Sequence, residues 1–159
     1  MGDIFFNLTW LAPVFPFFGF LAIFLFTQDH PRLSHSISIG SIALSWLLGW
    51  AVGFSAIFRK VLTPQIIPLG TWFKTGTTAF EIGVVIDPLM VVTLLMVPFI
   101  CLMIFVYSVG YLGFGTEEQD PKYGRFFAYI TLFAAGMLGL VIADNLLMLF
   151  ISWEIMGLC

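Results

Sequence analysis

Long apolar runs, separated by short polar segments, set the pattern of this chain. A helix needs about 20 mostly apolar residues to cross a hydrocarbon core of about 30 Å. Three runs come close to that length, over Leu8–Phe26, Ile37–Phe58 and Asp87–Val109. A fourth begins at Phe126 and continues to the last residue. The pattern therefore predicts several membrane-spanning helices.

The fourth run holds more residues than one span requires. Its only strongly polar pair is Asp144-Asn145, where we predict a tight turn between a helix ending near Ala143 and another starting near Asn145. About 15 residues follow, or roughly 22 Å of helix, which is short of a full crossing. The predicted fold class is an all-α polytopic membrane protein with four full transmembrane helices and a truncated fifth. We expect the sequence to be a fragment of a longer chain.

The polar segments carry further structural signals. Asp87-Pro88 is typical of a helix start, with Asp87 as N-cap and proline in the first turn. Before it, the β-prone stretches Ile66–Trp72 and Phe80–Ile86 flank Lys74-Thr75-Gly76-Thr77. This pattern predicts either a small β-hairpin at the membrane surface or an irregular loop.

Composition excludes several classes of protein. The chain is 60% hydrophobic and 9% charged, with a mean hydropathy of +1.06, whereas soluble domains average about 25% charged residues. Six Lys and Arg against nine Asp and Glu leave no basic face for nucleic acid. Three cations fall on each predicted side of the membrane, so charge does not set the orientation.

Two acidic residues lie in apolar surroundings, where burial of a charge is costly. Glu154 lies nine residues after Asn145, about 14 Å into the last helix and therefore near the middle of the membrane. We predict that Glu154 transfers protons, the alternative being a packing role. Asp144, at the predicted turn, is a secondary candidate whose structural alternative is an N-cap. We identify no metal site and no cofactor-binding motif in the sequence.

A set of motifs resembles a known family. The motifs occur in the order Asp87-Pro88-Leu89, Tyr107-Ser108-Val109-Gly110-Tyr111, Arg125-Phe126-Phe127-Ala128-Tyr129, Ala143-Asp144-Asn145 and Trp153-Glu154-Ile155-Met156-Gly157-Leu158-Cys159. The set resembles the N-terminal part of the antiporter-like subunit L (chain 5) of respiratory complex I, the NADH:quinone oxidoreductase. The resemblance covers residues 87–159 well, and residues 1–86 only by layout.

The resemblance implies an organisation in three parts. Residues 1–112 would be peripheral transmembrane helices 1–3 with an extramembrane loop at 59–86. A polar loop follows at 113–125, and residues 126–159 would begin the antiporter-like repeat. Glu154 would correspond to the acid of the family's fifth helix, which is thought to pair with a lysine on a later helix. The N-terminus would face the outer, positive side.

The resemblance also implies partners and an activity. The chain would be a non-redox, proton-translocating subunit, and flavin mononucleotide, iron–sulfur clusters and quinone would be bound by partner subunits. Its neighbours would be membrane lipids and other complex I membrane subunits, especially another antiporter-like subunit. We expect an energy-transducing membrane, such as the bacterial plasma membrane. The alternative is the A subunit of a multisubunit Mrp-type cation/proton antiporter, which has no redox partner.

Overall fold

The computed structural model describes residues 2–59, 63–75, 78–117 and 119–159. Over these residues, six α-helices and one antiparallel pair of strands follow one another along the chain. Their bounds are α1 (Gly2–Asn7), α2 (Leu11–Ala22), α3 (Pro31–Arg59), β1 (Gln65–Thr75), β2 (Thr78–Ile86), α4 (Pro88–Tyr111), α5 (Tyr123–Ile142) and α6 (Leu146–Leu158).

Among the described residues, three helices are long and apolar enough to cross a membrane, namely α3, α4 and α5. The prediction of four full spans is therefore confirmed for only three helices. The first apolar run is interrupted by a turn at residues 8–10, where the Thr9 hydroxyl donates to the Phe5 carbonyl. What remains is α2 followed by one π-helical segment, Ile23–Thr27, together shorter than a full span.

The start of α4 agrees with the sequence-based expectation, whereas the starts of α3 and α5 differ from it. Asp87 caps α4 as predicted, accepting a hydrogen bond from the Met90 backbone N–H at 2.6 Å. The helix α3 begins at Pro31 rather than near Ile37, because proline suits the first helical position. The serine hydroxyls of its polar first turns are bonded to carbonyl oxygens of the preceding turn. The helix α5 begins at Tyr123 rather than Phe126.

Buried hydroxyl groups mark the contact of α2, α3 and α5. Ser38, Ser41, Ser45 and Thr131, which we call the hydroxyl seam, are all buried. Ser38 and Thr131 share a hydrogen bond of 2.6 Å, and Ser45 donates to the Ala12 carbonyl at 2.7 Å. Every hydroxyl of the seam has a partner within the chain, as buried polar groups require.

Glycines bring α3 and α4 close together. A Cβ atom on Gly49 would lie 2.8 Å from the Leu94 carbonyl oxygen, and one on Gly53 would lie 3.2 Å from the Leu95 side chain. A third glycine of α3, Gly40, faces open space. Two of the three glycines therefore serve the packing that small residues permit between membrane helices.

The segment before α4 forms the β-hairpin rather than the irregular loop. Strands β1 and β2 pair from Gln65 with Ile86 to Thr75 with Thr78, with register shifts that leave Leu69 and Trp72 unpaired. The turn residues Gly76 and Thr77 lie outside the described residues. Near its base, Val84 forms an antiparallel bridge with Ala143, so β2 lies against the end of α5.

Candidate functional site

The turn between α5 and α6 is fixed by Asn145. Its side-chain oxygen accepts from the Met148 backbone N–H at 2.9 Å, which caps α6. Its amide nitrogen donates to the Glu81 carbonyl at 2.9 Å and to the Asp144 carboxylate at 2.6 Å. One side chain therefore starts the helix and ties it to β2.

Asp144 does not act as an N-cap. The cap position belongs to the next residue, whose extended backbone and amide oxygen make the capping bond. The half-buried Asp144 carboxylate instead accepts from Asn145 and lies so close to the Gly83 backbone that a Cβ atom there would collide with it. The N-cap alternative for Asp144 is thus wrong, and the residue lies at the junction of hairpin and turn.

Glu154 lies on the open side of α6. It is exposed, and so are its neighbours Phe150 (57%), Trp153 (60%) and Leu158 (86%). The opposite side of the helix packs on α5, where the buried Ser152 meets Gly136 and Gly139. The carboxylate therefore points away from the helices of this chain.

No charged partner accompanies Glu154 in the described part of the chain. None of the hydrogen bonds there involves its carboxylate, and the last Lys or Arg of the 159 residues is Arg125. Ten residues separate Glu154 from Asp144, which is about 15 Å of helix rise. The structure therefore does not bring the two predicted acids together.

A contact that the sequence did not reveal joins α3 and α5. The Tyr123 hydroxyl and the His35 ring nitrogen Nδ1 lie 3.1 Å apart, and Phe114 and Phe127 pack edge-on against the same imidazole. The two residues are 88 positions apart, so no local pattern could indicate the pair. Across the described residues, no group of three or more His, Cys, Asp or Glu side chains could hold a metal ion.

Comparison with known proteins gives one consistent result. Residues 72–127 match the family described as NADH-Ubiquinone oxidoreductase (complex I), chain 5 N-terminus. The chloroplastic NAD(P)H-quinone oxidoreductase subunit 5 of Mesostigma viride is 33% identical, covering 94% of this chain. The NAD(P)H-quinone oxidoreductase chain 5 of a Synechocystis species is 32% identical, covering 99% of it. Both names are those of quinone oxidoreductase subunits, so they do not favour the antiporter alternative.

The relatives are much longer than this chain, which spans 23% of the length of each of these two proteins. The similarity nevertheless extends over nearly all of its 159 residues, including the first 86, where the motifs gave a resemblance only by layout. The chain thus resembles the N-terminal part of the chain 5 subunit of complex I and related NAD(P)H-quinone oxidoreductases, as its ordered motifs predicted.

Proposed function

We propose that the chain is part of a proton-translocating membrane subunit of a complex I-type quinone oxidoreductase, and that Glu154 is a proton-transfer carboxylate of its pathway. The observation that carries the proposal is the position of Glu154. It lies on the open side of an apolar helix, in a chain that resembles chain 5.

The surroundings of Glu154 decide whether its carboxyl group can be ionised. A carboxylate facing lipid hydrocarbon is expensive, so it must either be protonated or be covered by a surface that supplies a cation or a hydrogen-bond donor. A group that passes between these two states takes up and releases one proton, as a residue of a proton pathway must. The side chain that covers Glu154 would come from a segment beyond the residues of this sequence or from a neighbouring subunit.

The redox chemistry would belong to other subunits. Flavin mononucleotide, iron–sulfur clusters and quinone would be held by partner subunits. The membrane neighbours of this chain would be lipids and other complex I membrane subunits, especially another antiporter-like subunit. The chain would lie in an energy-transducing membrane. The two relatives compared above come from a chloroplast and a cyanobacterium, so they support that class of membrane without favouring the bacterial plasma membrane.

Replacing Glu154 tests the proposal most directly. Glu154→Gln keeps the size and hydrogen-bonding capacity of the side chain but removes its titration. We expect the assembled complex to form, and its proton pumping per quinone reduced to fall by about tenfold or more, since a positioned proton-transfer group contributes at least that much. Pumping is measured as acidification in sealed vesicles during NAD(P)H oxidation, and assembly on native gels.

Two matched variants serve as controls. Glu117→Gln makes the same chemical change at an exposed carboxylate between α4 and α5, and should leave pumping unchanged. Asp144→Asn tests the secondary candidate, whose contacts with Asn145 and Gly83 favour a structural role. If Glu154→Gln pumps as well as Glu117→Gln, the proposed role of Glu154 is wrong.

Membership in a redox complex needs a separate measurement. Purification through an affinity tag on this subunit should yield an assembly with the absorbance of flavin and the paramagnetic signals of reduced iron–sulfur clusters. A colourless assembly that exchanges sodium for protons would contradict the complex I assignment while leaving a proton-transfer role for Glu154 open.

A further inference from the structure

The turn between α5 and α6 lies along strand β2. Each of its three residues contacts a residue of that strand, in the pairs Ala143–Val84, Asp144–Gly83 and Asn145–Glu81. The first pair is the antiparallel bridge, and the last is the 2.9 Å hydrogen bond from the Asn145 amide to the Glu81 carbonyl. The strand therefore holds the start of α6 at three successive positions.

Strand β2 is itself fixed to the membrane-spanning part of the chain. Its residues Val84 and Ile86 are almost completely buried. The strand then runs directly into α4 through Asp87, whose side chain caps that helix. The position of the α5–α6 turn is therefore set relative to the start of α4.

The body of α6 is held from one side. Among the described helices, α5 is the one with which α6 makes an extensive contact. The floor of that contact is formed by Gly136 and Gly139, against which Ser152 and Ile155 pack. Glycine has no side chain that could form a ridge and stop a neighbouring helix from rolling. Packing on α5 alone therefore restrains the rotation of α6 weakly.

Rolling of α6 over α5 would affect both Asn145 and Glu154. For a helix radius of about 5 Å, rolling by about 30° moves the helix axis by about 3 Å and turns every side chain by the same angle. A shift of that size breaks the 2.9 Å bond between Asn145 and the Glu81 carbonyl. It also moves the Glu154 carboxylate by about 3 Å, which is the whole reach of a proton transfer within a hydrogen bond.

We propose that β2 positions Glu154 for proton transfer, and that Asn145 is the positioning residue through which the strand acts. The inference rests on the proposed role of Glu154. Asn145 combines the cap of α6 and the bond to β2 in one side chain. It therefore sets where the helix begins and which way its open side faces. A displacement of β2 is transmitted to a carboxylate about 14 Å further along α6.

The substitution Asn145→Ser separates the cap from the bond to β2. Serine is among the best N-caps, so it still accepts from the Met148 backbone N–H, but its shorter side chain does not reach the Glu81 carbonyl. We expect the complex to assemble with a nearly unchanged thermal midpoint. Protons pumped per quinone reduced should fall about tenfold, because small misplacements of a reacting group cost at least that much.

Asp87→Ser is the matched control, because Asp87 caps α4 through the Met90 backbone N–H in the same way. It should leave the number of protons pumped per quinone unchanged. Should Asn145→Ser fail to assemble, Asn145→Asp also keeps an oxygen for the cap and removes the amide donor.

A cross-link measures the orientation of α6 independently of pumping. Ile151 lines a cavity together with Pro13 and Phe17 of α2, so a photoreactive side chain at position 151 of the assembled complex should cross-link to residues 13–17. Rolling of α6 changes the distance across this cavity. The yield of the cross-link should therefore change in Asn145→Ser and stay the same in Asp87→Ser.

The outcomes separate this inference from the proposed function. An unchanged cross-link in Asn145→Ser would overturn the inference, and so would a loss of pumping that only follows the loss of assembled complex. Normal pumping in Asn145→Ser would overturn it as well, and the proposed function would still stand if Glu154→Gln failed to pump. Normal pumping in Glu154→Gln would overturn the proposed function and this inference with it.

Discussion

Polar side chains on the apolar helices of this molecule have two opposite environments. In the hydroxyl seam, Ser38, Ser45 and Thr131 are fully buried, and each has a hydrogen-bond partner on another helix of the same chain. On the open side of α6, the Glu154 carboxylate is exposed and has no such partner among the described residues. The two regions therefore differ in whether the polar group has a hydrogen-bond partner, and also in charge.

The difference indicates what each region is for. A hydroxyl satisfied inside the chain contributes to helix contact and is insensitive to what surrounds the protein. A carboxylate left open depends on its surroundings for a counter-charge or a proton. We therefore expect changes in the α2–α3–α5 contact to reduce stability without altering pumping, and changes at Glu154 to do the reverse.

The largest stability effect is expected at Gly124, where the start of α5 meets the turn before α3. A Cβ atom there would overlap the backbone carbonyl of Gln28, which cannot move aside as a flexible side chain could. Gly124→Ala should cost about 3 kcal/mol through this overlap. The measurement is the yield and thermal midpoint of the assembled complex, together with pumping per assembled complex, which should stay normal.

Gly40→Ala is the matched control, because Gly40 lies inside α3 with nothing near its missing Cβ. Alanine should stabilise the helix there by up to about 1 kcal/mol. Equal stability of the two variants would contradict the close contact of Gln28 and Gly124. Reduced pumping in the assembled Gly124→Ala complex would contradict the expectation that the helix contacts affect stability and not pumping.

A smaller effect is expected at Asn145, which connects the two regions through the start of α6. Asn145→Ala removes the cap on Met148 and the bond to the Glu81 carbonyl. Losing a cap of this kind costs about 1–2 kcal/mol, so the thermal midpoint should fall. Asp144→Ala, which removes no cap, should cost less; a larger loss for Asp144→Ala than for Asn145→Ala would contradict the assignment of the cap.

The sequence predicted the features that depend on local chemistry. Asp87 capped its helix as expected, because a side chain that bonds three residues ahead needs only its own segment. The hairpin strands and the turn at Asp144-Asn145 were also visible as local patterns. The same local reasoning gave Asp144 the cap that belongs to Asn145, since either side chain fits the pattern and only backbone geometry distinguishes them.

Features that depend on distant contacts were not predictable. The tie between Asn145 and Glu81 joins residues 64 positions apart, and the Ser38–Thr131 bond joins residues 93 positions apart. The open position of Glu154 follows from which side of α6 packs on α5, and neighbouring apolar residues all round the helix gave no indication of that side. Its role in proton transfer remains a prediction.

The smallest predicted effect lies in the hydroxyl seam itself, where a double-mutant cycle can measure one hydrogen bond. Thr131→Val removes the partner of Ser38, whereas Ser38→Ala leaves Thr131 still donating to the Phe127 carbonyl. We expect Thr131→Val to cost about 0.6–1.7 kcal/mol, the range for hydrogen bonds between membrane helices, and Ser38→Ala to cost less. The double variant should cost little more than Thr131→Val alone.

Thr93→Val provides the control, because the exposed Thr93 hydroxyl donates only to the Leu89 carbonyl within α4. It should leave both stability and pumping near the wild-type values, while the seam variants lower the thermal midpoint alone. Strictly additive losses for Ser38→Ala and Thr131→Val would show that their shared hydrogen bond contributes nothing. A fall in pumping per assembled complex with Thr131→Val would place the seam hydroxyls in the proton path, and the two regions would then differ in charge but not in role.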